Sequence, residues 1–185
     1  IEDIKKIDDR IEINIVDSSD DKTPEIAKSL GANVYRQYPP SGYGPAMDCV
    51  LKHSSRDVII TVDCDDTYPL DQVDYFSKLI LDDNFDVVDG NRLPKKPKFM
   101  PYINYLANYG FALIASLLFF VRIKDLHSGM RAYKKNIINK LPYKVDGVSL
   151  PVELILWPLR LGFKVKFVDI IYNERIGQSK LEPLR

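Results

Sequence analysis

Val58-Ile59-Ile60-Thr61-Val62-Asp63-Cys64-Asp65-Asp66-Thr67-Tyr68-Pro69 decides the fold: an apolar run passes without a break into three carboxylates and stops at a proline. Val58, Ile59, Ile60 and Val62 lack the in-out alternation of a half-solvated strand. They read as an interior strand covered on both faces, the pattern of a parallel α/β sheet. Ligands in open sheets of this kind collect beyond the carboxyl ends of the strands, where Asp63 and Asp65 stand. Two carboxylates this close repel each other unless a cation or a proton separates them. A hard divalent cation, Mg2+ or Mn2+, suits them, since it commonly binds through one or two carboxylates plus substrate phosphates. The plainer use of such a loop is an Asx turn or a helix cap, and Asp66 and Thr67 suit that role.

Upstream, residues 11–16 alternate apolar and polar side chains and break at Asp17-Ser18-Ser19-Asp20-Asp21, a strand ending in a polar loop. Thr23 and Pro24 supply a cap and a first-turn proline for a helix to Leu30, Gly31 closes it, and 33–36 is a short strand. The loop from Pro39 to Pro45 leads into a helix over 46–53. Downstream come a helix over 71–81, a strand at 86–88 opening onto Asp89-Gly90-Asn91-Arg92, and a surface loop marked by Pro94, Pro97 and Pro101. The longest apolar stretch, 111–121, falls short of the ~20 residues that span a bilayer. It reads as a core helix. The sharper alternative is a helix resting on a membrane surface, favoured by Tyr102, Tyr105 and Tyr109 and by Lys95, Lys96, Lys98, Arg122 and Lys124 nearby. A strand at 129–133, a helix over 150–161 kinked or ended by Pro158, and a half-exposed strand at 164–171 follow. Strands alternating with helices predict a mostly parallel, layered α/β sheet in one domain over 1–185.

Composition narrows the function. The chain has 185 residues, 45% hydrophobic and 28% charged, enough for one real core. Lys plus Arg equals Asp plus Glu at 26 each, so no global field draws it to nucleic acid, and anions must be held by local clusters. Only two cysteines, Cys49 and Cys64, are present, which fits a reducing compartment such as the cytoplasm. The first residues are charged and polar, unlike the apolar core of a leader. His53 and His127 have no HExxH spacing, and neither a GxSxG elbow nor a Walker loop occurs, so zinc hydrolase, α/β-hydrolase and P-loop chemistries are disfavoured.

Several strand ends carry polar clusters: Asp17 with Asp20 and Asp21, Asp63 with Asp65, Asp89 with Arg92, and Asp125 with Ser128 and Arg131. In a parallel sheet these ends face one side and can share a cleft. Acids for a cation, together with Arg92, Arg131, Arg175 and Lys180 for oxyanions, describe a site for a metal-bound diphosphate.

Four motifs in this order, Asp63-x-Asp65-x-Thr67-Tyr68-Pro69, Asp89-Gly90-Asn91-Arg92, Asp125-x-x-Ser128-Gly129-Met130-Arg131-Ala132-Tyr133 and Arg175-x-Gly177-x-Ser179-Lys180-Leu181, resemble the family-2 glycosyltransferases of the GT-A fold. Within them the chain is most similar to the polyprenyl-phosphate group, which includes the dolichol-phosphate mannose synthases. The resemblance implies a Rossmann-like, mostly parallel sheet flanked by helices. It implies a hexose transfer, with inversion, from a nucleotide sugar of the GDP-mannose or UDP-glucose type to a polyprenyl phosphate, by a protein peripheral to the cytoplasmic face of a membrane. It also implies that Asp63 and Asp65 bind Mg2+ or Mn2+ with Thr67 as a third contact, and that Asp17 touches the nucleoside. Arg92, Arg131, Arg175, Ser179 and Lys180, with Ser128 in the same motif, match positions near donor and acceptor phosphates, and Asp125 one near the sugar or acceptor. The catalytic pair expected on this basis is Asp125 and Arg131.

Two features depart from that family. Nothing before Ile11 resembles its opening strand and Pro-x-x-Asn-Glu loop, so the chain is expected to begin after that strand, and the acidic loop at Asp17 is a residue shorter. Two other readings stay open on the residues: a haloacid-dehalogenase-like phosphatase, in which Asp63 would be a phosphorylated nucleophile, and a catalytically silent nucleotide-sugar binding domain.

Overall fold

A computed structural model describes residues 1–145 and 147–174. Its elements run α1 (Glu2–Ile7), β1 (Asn14–Asp17), α2 (Thr23–Ser29), β2 (Asn33–Arg36), α3 (Tyr43–His53), β3 (Val58–Thr61), a 3-10 turn at Leu70–Gln72, and α4 (Val73–Leu81). Then come β4 (Val87–Asn91), α5 (Tyr102–Phe119), β5 (Arg131–Lys134), α6 (Lys135–Ile138), a 3-10 turn at Gly147–Ser149, α7 (Leu150–Arg160) and β6 (Val165–Asp169). Arg175, Ser179 and Lys180, expected near the phosphates, lie outside the described residues.

Two sheets form: β1 pairs with β2, and a second sheet has the order β3-β5-β4-β6. β1 with β2 and β4 with β6 are parallel, but β5 is antiparallel to both β3 and β4. The α/β architecture is as expected, with one refinement. A short apolar strand carries no mark of its direction, and β5 runs back between two strands that are consecutive along the chain. Its first residue, Arg131, therefore pairs with Thr61 and with Asp89, the ends of β3 and β4. The segment that leads into an antiparallel strand reaches the same edge as the segments that leave its neighbours, so 125–130 arrives beside 63–67.

Side chains alternate between two cores. On one face Ile59, Val87 and Tyr133 pack with Leu51 of α3, Ala112 and Ala115 of α5, and Leu154 and Ile155 of α7. On the other, Val88, Ala132 and Met130 pack with Val73, Phe76 and Ile80 of α4. Both faces are covered, which is why the strand pattern lacked alternation. Each fully buried large apolar side chain contributes about 1.5–3 kcal/mol. α7 continues through Pro158 and ends two residues later, so the proline closes the helix rather than bending it.

α5 is longer than its apolar stretch suggests, with 18 residues from Tyr102 to Phe119. It is the one helix among the described residues long and apolar enough to cross a membrane. Only a narrow stripe, centred on Ala112 and Ala115, is buried. The Tyr105 hydroxyl donates to the Leu93 carbonyl at 3.3 Å, and the Ser116 hydroxyl accepts from the Ile123 N–H at 2.9 Å. These bonds and the alanine stripe lay the helix along the body of the domain.

Candidate active site

The chain leaves β3 at Thr61 and turns sharply at Asp66, a non-glycine residue in the left-handed region (φ 61). The turn lets Asp65 Oδ1 accept from both the N–H and the hydroxyl of Thr67, at 3.3 and 2.6 Å. The Asx-turn reading was therefore correct in its geometry, and its result is to aim a carboxylate. Thr67, expected as a third metal contact, is buried, and its hydroxyl donates to Asp65 and orients it. Asp63 and Asp65 are half-buried.

Asp63 lies against Gly129. A Cβ on that glycine would stand 2.4 Å from Asp63 Oδ2 and 2.6 Å from its Cγ. Gly129 is itself pinned, its N–H donating to the Tyr68 hydroxyl oxygen at 2.6 Å and its carbonyl accepting from the Thr61 hydroxyl at 3.3 Å. Tyr68 is buried, which holds its phenol above the ordinary range, and it meets Tyr172 edge-on at 5.2 Å. The sequence offered the Tyr-Pro pair and the glycine as motif letters, without the contact that joins them.

Behind the acidic pair lie two buried ion pairs. Arg92 donates through Nε and Nη2 to Asp125, at 2.7 and 3.0 Å, and its backbone N–H adds a third bond at 3.2 Å. Asp125 also accepts from the His127 N–H at 3.0 Å. Burial alone would raise the Asp125 pKa, but the charge and bonds of Arg92 outweigh it and hold the carboxyl below the ordinary range. Burial would likewise lower Arg92, and Asp125 holds it above its usual value. Arg131 pairs with Asp89 and donates to the carbonyls of Leu126 (2.9 Å) and Pro151.

These contacts show where the residues with expected roles stand. Asp125 and Arg131, the expected catalytic pair, are buried and engaged with protein groups, and they do not pair with each other. Arg92 is spent on Asp125, with Tyr172 5.4 Å from its guanidinium carbon. The Ser128 hydroxyl is buried and bridges to the Met130 backbone, which shapes the loop. Two Asp and two Arg cancel, so this quartet gives a diphosphate no net positive charge. Asp17 does stand at the end of β1, where it was expected, but on the separate sheet and bound by Ser19 and Arg36. Arg36 was not anticipated, since nothing in the sequence pairs it with Asp17 before β1 and β2 are in register. Cutting the buried Arg92 pair by Asp125→Ala should lower the unfolding free energy by about 3–5 kcal/mol, because a charge is left buried without its partner. Urea denaturation checks this, and a loss under about 1 kcal/mol would mark the pair as no better than a surface one.

A divalent cation fits the acidic pair by its donor set. Asp65 is aimed by Thr67, and Asp63 rests in a cradle that a single Cβ would fill. Among the described residues no group of three His, Cys, Asp or Glu side chains gathers, so a cation here would complete its shell with water and substrate oxygens. A groove of about 590 Å³ lies on the outer side of the loop, lined by Asp66, Tyr68, Leu70, Asp71 and Asp169, and takes in neither carboxylate of the pair.

A mixed α/β sheet with a pair of acids just past one strand end is the GT-A glycosyltransferase architecture. Residues 1–141 match glycosyl transferase family 2, and the chain belongs to that family. It is 41% identical over 182 residues to a dolichyl-phosphate hexose transferase of Haloferax volcanii, covering 98% of this chain and 78% of that one. It is 27% identical to a low-salt glycan biosynthesis hexosyltransferase of the same organism, over 92% of this chain and 42% of that one. Among solved structures, glucosyl-3-phosphoglycerate synthase from Mycobacterium tuberculosis in complex with Mn2+, UDP and glucosyl-3-phosphoglycerate superposes with a TM-score of 0.68 at 20% identity. The match covers 91% of this chain and 62% of that structure. Family membership sets aside the phosphatase alternative.

Proposed function

We propose that this chain moves a hexose from a nucleotide diphosphate sugar to a polyprenyl phosphate, with inversion at the anomeric carbon. The observation that carries the reading is the Asp63 and Asp65 pair at the end of β3, cradled by Gly129, in a chain so similar to a dolichyl-phosphate hexose transferase. Asp63 and Asp65 would hold Mg2+ or Mn2+, which when bound neutralises charge on the donor diphosphate and its leaving group. An acceptor phosphate oxygen attacks the anomeric carbon as its bond to the diphosphate oxygen breaks, and the nucleoside diphosphate departs. The acceptor is already largely ionised at neutral pH, so no strong base is required. That agrees with a site whose other acids, Asp89 and Asp125, are buried. The chain's own contribution is positioning and electrostatic preorganisation.

The lipid acceptor supports a second part of the reading, a protein peripheral to the cytoplasmic face of a membrane. α5 presents Leu106, Tyr109, Leu113, Leu117 and Leu118 to solvent. Phe120, held in the left-handed region at φ 54, is 95% exposed at its end. Lys95, Lys96, Lys98, Arg122 and Lys124 flank the helix at both ends. An apolar helix face rimmed by cations is suited to the boundary of an anionic leaflet.

Incubation with Mn2+, a polyprenyl phosphate and radiolabelled GDP-mannose or UDP-glucose should give a labelled glycolipid with one of the two donors. Donor binding without transfer would favour the silent binding domain instead. In flotation the protein should rise with anionic vesicles and less so as salt shortens the screening length. Protein that stays at the bottom with anionic and neutral vesicles alike removes the membrane part and leaves the donor site standing.

A further inference from the structure

We propose that Asp89 is a positioning residue: through Arg131 it fixes the 125–130 loop, and so places Gly129 behind Asp63. Asp89 is buried at the end of β4, closed to any substrate, and sits opposite Arg131 in the strand register. Arg131 spends its remaining donors on the Leu126 carbonyl, inside the loop, and on the Pro151 carbonyl, in the first turn of α7. The guanidinium thus ties β4, the loop and α7 together, and one carboxylate sets where it stands. Three residues beyond Leu126, Gly129 touches Asp63.

A second feature of Asp89 points beyond packing. Its Oδ2 is buried and has no hydrogen-bond partner among the described residues, a costly arrangement for a carboxylate. An amide could still accept from Arg131 Nε and would carry no buried charge. Features kept at the expense of stability gather where a fold does its work. The charge itself is what Asp89 supplies: it holds Arg131 electrostatically. The groups facing it are Arg131 and Tyr133 from β5, Asp125 from the loop, and Arg92 just beyond its own strand.

Burial pushes the Asp89 pKa up to about 6, with Arg131 opposing and Asp125 adding to the rise. A folded-state value above the unfolded one means that protonation favours the fold. This contribution is complete below the unfolded pKa and is lost as pH rises through about 6. Between pH 7 and 5, therefore, the contribution of Asp89 to stability grows while Arg131 loses its charged tether. Donor binding and that contribution, read as wild type against Asp89→Asn, should move in opposite directions, which a purely structural residue would not produce.

The inference rests on the proposed donor site, and the test separates the two. Wild-type protein and Asp89→Asn are compared by hydrogen exchange over 125–130 and over α4, and by Mn2+-dependent affinity for UDP-glucose and GDP-mannose. In the variant the loop should exchange about tenfold faster with α4 unchanged. The donor that binds wild type should bind about 10–100-fold more weakly, as outer-shell changes do, and the loss of affinity from pH 7 to 5 should disappear. Loop protection equal to wild type, or acceleration spread evenly over loop and α4, overturns the proposal. Should Asp89→Asn fail to fold, wild type is compared with itself at pH 7 and 5, where protonation removes the same charge without touching Arg131. Loop exchange that quickens relative to α4 at the lower pH, after correction for the intrinsic rate, supports the proposal, and an unchanged ratio refutes it. If neither donor binds wild type, the functional reading fails, and the exchange comparison still decides the role of Asp89.

Discussion

Gly129→Ala is expected to abolish metal-dependent donor binding while leaving the fold nearly intact. The added Cβ would stand 2.4, 2.6 and 2.8 Å from Oδ2, Cγ and Oδ1 of Asp63, inside the reach of any real contact. Gly129 has little room to retreat, because Tyr68 holds its N–H and Thr61 its carbonyl. Its own backbone is outside the left-handed region, so alanine brings no strain of its own. Asp63 is the part that must shift, since every atom the Cβ would meet belongs to its side chain. The loss in affinity for Mn2+ with the nucleotide sugar should exceed about 100-fold, about 2.8 kcal/mol. Titration calorimetry read beside a thermal melt separates the two effects. Wild-type affinity in a folded Gly129→Ala protein would show that Asp63 takes no part in the site.

Asp65→Ala should have an effect at least as large, of a different kind. It removes one of two acids and the acceptor of both Thr67 bonds, so charge and turn are lost together. Asp65→Asn keeps an oxygen for Thr67 and removes only the charge. Comparing them separates orientation from electrostatics. Both should lower transfer by about 10²–10³-fold, the range found when a single group that stabilises developing charge is removed. The alanine variant should also lose thermal stability that the asparagine variant retains. Equal turnover in wild type and Asp65→Asn would falsify the assignment of this pair to the cation.

How much of this was legible from residues alone follows from the range of the interactions. β3 and its acidic loop were readable, because a covered strand writes itself as an unbroken apolar run and Asp63 to Thr67 is local chemistry. The antiparallel course of β5 was not, since Arg131 to Lys134 has the same composition in either direction. The two ion pairs were invisible for a related reason. Asp89 meets Arg131 only through strand register, and Arg92 meets Asp125 across 33 residues of chain. Arg92 and Arg131 therefore read from the sequence as phosphate ligands, with nothing local to mark the buried acids they bond. α1 went unnoticed because Ile4 and Ile7 alone make too faint a stripe. α5 began earlier than its apolar run because Tyr102, Tyr105 and Tyr109 extend the helix without raising its hydrophobicity.

The backward course of β5 also dictates when the catalytic edge can exist during synthesis. β3 and β4 follow one another along the chain, yet each bonds to β5 and not to the other. A nascent chain that has emerged as far as Asn91 has made both acidic strand ends and has nothing to bridge them. The wedge arrives some forty residues later, and contacts between such distant segments are slow to close. Until residue 134 is free, Asp63 lacks its glycine backing and Asp89 its arginine, so the acidic edge takes shape only after β5 has emerged.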